Sequence, residues 1–155
     1  MENAGVDKYI PDNLRTDLKP YLKKAVSLAT VGTDAAWKKV GKLIPLLALC
    51  EEFRRWARDN LKNPNENLQN LALTILEKTK TSLSEKVRNQ IIEILNNKNT
   101  PKYCVFRAAC ALASHPQGYS ENIQEKVKEV LLHNWPNKAS DVGPVAKQYY
   151  LSMEE

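Results

Sequence analysis

Laid over itself with a shift of 36 residues, this 155-residue chain repeats. Ala72 falls on Ala108, Ile75 on Ala111 and Leu76 on Leu112. Ser84-Glu85 falls on Ser120-Glu121, Val87 on Ile123, Ile91 on Val127, Glu93 on Glu129, and Ile94-Leu95 on Val130-Leu131. Apolar stripes alone match between any two amphipathic helices, but caps and core positions coinciding at one shift mark a repeated unit. Each unit reads as a helical hairpin: a first helix containing small residues, a short turn, then a second helix with aliphatic anchors. Small residues let helices approach closely, and one hairpin cannot bury enough apolar surface alone, so neighbours must share a continuous core. The expectation is an all-α fold of about seven helices in antiparallel hairpins, either a short right-handed solenoid or a compact bundle. A single domain is expected over 1–155, with hairpins over about 63–98 and 99–134 and the terminal helices as caps.

Helix start signals punctuate the rest. Residues 1–12 read as a loosely held lead-in. Pro20 suits the first turn of a helix reaching about Ala29, with Val31-Gly32 ending it, and Thr33-Asp34 opens the next. Pro45 kinks that helix or starts a new one, the latter being favoured because its ring clashes with the preceding turn. Leu46, Leu49, Cys50, Phe53, Trp56 and Ala57 recur at three- and four-residue steps, which predicts one helix over 46–61 with those side chains inward. Asn63-Pro64-Asn65 stops it. Leu68 to Thr79 carries the next stripe, and Ser82 or Ser84 caps the one after. Thr100-Pro101 opens a helix reaching about Ser114 with proline at its first position. Pro116, Gly118 and Ser120 mark a turn, Pro136 ends the following helix, and a last helix is expected over about 144–153. No stretch alternates as a half-buried strand does, and Gly is scarce at 5 residues, against a turn-rich β fold.

The run Val105-Phe106-Arg107-Ala108-Ala109-Cys110-Ala111-Leu112-Ala113 resembles the first helix of HEAT-like repeats, in which an Arg precedes small residues and then a Leu. The polar turns Asn63-Pro64-Asn65 and Asn97 to Pro101 resemble those that precede each such repeat. The likeness covers about 63–134; the earlier unit has Asn70 or Leu71 where the Arg would stand. It implies an α-solenoid, and no particular activity.

The N-terminus lacks a basic stretch followed by an apolar run, and the longest apolar run, 43–50, is far short of the ~20 residues of a membrane helix. Three cysteines without a CxxC pair read as free thiols in a reducing compartment, so a cytoplasmic protein with no membrane partner is expected.

A search for chemistry predicts no catalytic, cofactor-binding or metal-binding residues. His115 lies in a turn and His133 at a helix end, and no HxxxH, ExxH or HExxH spacing occurs. Gly41-Lys42 resembles the end of a phosphate loop, but Leu43 stands where Ser or Thr is required. Cys50 and Cys110 fall on apolar stripes, and Glu51-Glu52 point apart with Arg54, Arg55 and Arg58 as helical neighbours. A small enzyme using Trp56 and Asp59 lacks an orienting partner for its base.

Charge carries the functional expectation. Residues 1–107 hold 19 basic and 12 acidic side chains, and residues 108–155 hold 4 and 6. Lys23-Lys24, Lys38-Lys39-Lys42 and Arg54-Arg55-Arg58 recur on three successive helices. The expected function is a non-enzymatic protein–protein interaction module, an adaptor or regulatory subunit, using a basic face from Lys38 to Arg58 extended by Arg88 and Lys102. The alternative is nucleic-acid binding through Lys23, Lys38, Lys39, Arg54, Arg55 and Arg58, with Trp37 and Trp56 stacking on bases. The oligomeric state is open.

Overall fold

Short polar side chains start most of the helices. The computed structural model describes residues 7–115 and 119–138, with side chains to 133, and among these residues there are seven α-helices and no strand. Helix α1 (Lys19–Val31) carries Pro20 in its first turn and ends at Gly32, whose φ of 74° is left-handed. A Cβ there would also lie 2.9 Å from the Asn67 amide nitrogen, which that side chain can relieve by turning away, so it is the left-handed backbone that calls for glycine. Helix α2 (Asp34–Leu49) starts where the Thr33 hydroxyl accepts from the Ala36 N–H, 3.1 Å. Helix α3 (Glu51–Asp59) follows the extended residue Cys50. Helix α4 (Glu66–Lys78) is capped by Asn65, and α5 (Glu85–Asn96) by Ser84 rather than Ser82. Helix α6 (Lys102–Ser114) begins after Pro101, which sits one place earlier than expected, at the cap itself. Helix α7 (Glu121–Lys138) starts at Ser120, whose hydroxyl accepts from the Ile123 N–H.

The 36-residue shift reappears in the coordinates. Helices α4 and α6 are each 13 residues long and start and stop 36 residues apart, as do the starts of α5 and α7. Ser84 and Ser120, again 36 residues apart, cap α5 and α7, and Ala72, Ala108, Leu76 and Leu112 are all buried. Helix α6 buries Cys104, Phe106 and every residue from Ala108 to Ala113, and it packs against α4, α5 and α7. Helices α4 and α5 each pack on α6 and touch one another little, whereas α6 and α7 pack directly, so the two units are not joined internally in the same way. On its other side α4 meets α1, α2 and α3, and one apolar cluster runs from Leu14 to Leu131.

Several expectations need correction. Residues 46–61 are not one helix: α2 runs through Pro45 to Leu49, and the chain breaks at Cys50. Pro45 and Gly41, four residues earlier, both lie on the solvent side, so the carbonyl that loses its N–H partner is open to water. Leu46 and Leu49 accordingly face outward, at 38% and 70% exposure. Of the lead-in, residues 7–12 are tied down: Asp7–Tyr9 form a 3-10 turn, and Tyr9 and Ile10 pack on the core. The backbone of α7 continues past Pro136. Residues 1–6, Pro116, Gly118 and the expected helix over 144–153 lie outside the described residues. No helix among the described residues is long and apolar enough to cross a membrane.

Candidate functional site

The basic side chains singled out by sequence divide into two groups. Some are bound into the fold. Arg54 is only 15% exposed; its Nη1 donates to the carbonyls of Ala48 (3.1 Å) and Leu49 (2.6 Å), and its Nη2 to Glu51 Oε2 (3.0 Å). The guanidinium therefore satisfies carbonyls at the end of α2 that the break at Cys50 leaves open. Arg58 pairs with the other oxygen of Glu51. Its hydrogen bond is the main reason the Glu51 carboxyl is held below the usual range, partly offset by desolvation and aided by Arg54. Lys23 Nζ lies 3.0 Å from Asp7, and Arg88 Nη1 donates to the Leu83 carbonyl, 3.3 Å. Lys24, Lys38, Lys39, Lys42, Arg55 and Lys102 form the second group: exposed, with no ion pair among the described residues.

Three of that second group share one face. Ala36, Val40, Ile44 and Leu47 form the buried side of α2. At roughly 100° per residue, Lys38, Lys39, Lys42, Leu46 and Leu49 fall within an arc of about 100° on the opposite side. All five are exposed. The result is a strip with three ammonium groups along its first half and two leucines along its second. Sequence reasoning found the lysines and missed the leucines, because three- and four-residue spacing is the same for an outward stripe as for an inward one.

Neither tryptophan considered for stacking stands free. Trp56 is 2% exposed and donates from Nε1 to the Tyr9 carbonyl at 2.7 Å; Trp37 packs, half-buried, against the core. The titratable groups inside the fold are also held structurally. Glu77 is fully buried, with Arg107 Nη1 2.9 Å from its Oε1 and Lys78 Nζ 3.2 Å from its Oε2. The only sequence sign of Glu77 is its place one turn after Leu73 in a helix buried on nearly all sides. His115 Nε2 is 2.9 Å from the Leu76 carbonyl, and burial pushes its pKa down, opposed by that hydrogen bond and by Glu77. Burial, helped by the Glu66 carboxylate, raises the Cys104 thiol to about 12, which makes it a weak nucleophile. Among the described residues no group of three or more His, Cys, Asp or Glu side chains is placed to hold a metal ion.

No family model matches this chain, nor does any curated protein or solved structure.

Proposed function

We propose that this protein is a non-catalytic protein–protein interaction module, an adaptor or regulatory subunit, that takes its partner on the outer face of α2. The observation that carries the reading is the strip itself: Lys38, Lys39 and Lys42, with no ion pair among the described residues, continuous with exposed Leu46 and Leu49. Apolar side chains next to unpaired charge on a rigid helix provide anchor and orientation together. The recurrence of α4 and α6 supports the HEAT-like likeness, in which rows of helices serve as docking surfaces. A cytoplasmic setting goes with it, since all three cysteines are free thiols. Nucleic-acid binding is the weaker reading, because Arg54 and Arg58 are engaged by Glu51 and Trp56 is inside.

The test is photocrosslinking from two positions. A photoreactive residue replacing Lys42 should give a protein adduct that disappears when Leu49→Gln is added, whereas the same residue replacing exposed Lys102 should give none. A nucleic-acid adduct at position 42, or equal yields at 42 and 102, overturns the reading.

A further inference from the structure

The strip on α2 is specific enough to say what would cover it, given that it is the docking face. From Lys38 to Leu49 it rises over about 16 Å, the length of roughly three helical turns. Its first half is purely cationic. Asp34, four residues before Lys38, forms no ion pair with it, and Glu51, just beyond the far end, is held by Arg54 and Arg58. Among the described residues no acid pairs with these ammonium groups. Its second half is purely apolar, with Leu46, Leu49 and the ring of exposed Pro45.

A nucleic acid would leave the leucines covered by nothing suitable, since a phosphate backbone has no apolar side chain and no aromatic ring on the strip is offered to a base. A purely hydrophobic partner would lay uncharged surface over three ammoniums and strip their water without return. We infer that the partner is an acidic amphipathic helix of about three turns, with carboxylates at one end over Lys38, Lys39 and Lys42 and aliphatic or aromatic anchors at the other over Leu46 and Leu49. Charge complementarity sets its direction along α2, and the leucine end supplies the contact that survives salt.

The experiment is a selection on the full chain from a display library of random segments of about fourteen residues, long enough to span the strip as a helix. The enriched segments should be acidic at one end and apolar at the other. Replacing their Glu and Asp by Gln and Asn should weaken binding about tenfold, on the order of three modest surface charge pairs acting together. Lys38→Gln with Lys42→Gln should weaken it about fivefold, and Leu49→Gln about tenfold, while Lys98→Gln, at an exposed position between α5 and α6, leaves it unchanged. All these residues are exposed, so thermal melts of the variants should match the parent. An enriched set without acidic bias, binding indifferent to the lysine changes, an empty selection, or self-association of the chain through this face each overturns the assignment. If a protein adduct still forms at position 42, the docking reading survives that failure; if none forms, both fall.

Discussion

Arg107 Nη1 lies 2.9 Å from Oε1 of Glu77, thirty residues away, and the carboxylate it meets is wholly removed from solvent. The contact joins α6 to the end of α4, where Lys78 Nζ reaches the other oxygen at 3.2 Å. A buried carboxylate is retained only where cations and hydrogen bonds replace its water.

Removing that carboxylate should be among the most costly single changes. Glu77→Ala leaves the little-exposed Arg107 guanidinium without its anion, and urea denaturation should show a loss of about 3–5 kcal/mol. The double change Glu77→Leu with Arg107→Leu should cost less than Glu77→Ala, because the little-exposed guanidinium is then gone and the Lys78 ammonium that remains is exposed enough to reach water.

Arg54 and Arg55 are sequence neighbours with opposite roles. Arg54→Ala frees the carbonyls of Ala48 and Leu49 and should cost about 1–3 kcal/mol. Arg55→Ala, at an exposed position, should stay within about 0.5 kcal/mol of the parent in the same denaturation series. Equal effects would show that the α2–α3 junction does not depend on the guanidinium.

His115 makes stability fall toward mild acid. Burial lowers its pKa below the ordinary 6.5, so the unfolded chain takes up the proton first. The stabilisation is complete above about pH 6.5 and declines as the pH drops below it. The urea midpoint should fall between about pH 7.5 and 5.5, and His115→Asn should flatten that slope. Glu51, whose pKa is lowered mainly by Arg58, acts in the same direction: its contribution is present above the ordinary carboxylate range and is lost as pH falls through its depressed pKa, a separate and more acidic window.

Leu76 and Leu112 occupy matching places in α4 and α6 and are both 1% exposed. Each change to Ala should cost about 2–5 kcal/mol in thermal or chemical melts. A large cost at one site with none at the other would mean the two units are not packed alike.

Most helix starts could be read in advance. Thr33, Asn65, Ser84 and Ser120 cap through side chains that reach two or three residues along the chain, and Gly32 stops α1 by its own backbone conformation. Such signals are complete within one helical turn, which is also why the 36-residue recurrence and the buried alanines of α6 were legible. The position of Pro45 was not, because a proline's cost depends on whether water can reach the carbonyl behind it. Nor was the outward turn of Leu46 and Leu49, since helical spacing defines a stripe without saying which neighbour it meets. That Glu51 has Arg54 and Arg58 as helical neighbours is legible along the chain, but that Arg54 also turns back to the Ala48 and Leu49 carbonyls depends on the break at Cys50. The division follows the range of the forces involved: caps and steric limits act along the chain, whereas burial and charge pairing depend on what packing brings alongside. Helices and their recurrence belong to the first kind; the basic and apolar strip on α2 belongs to the second.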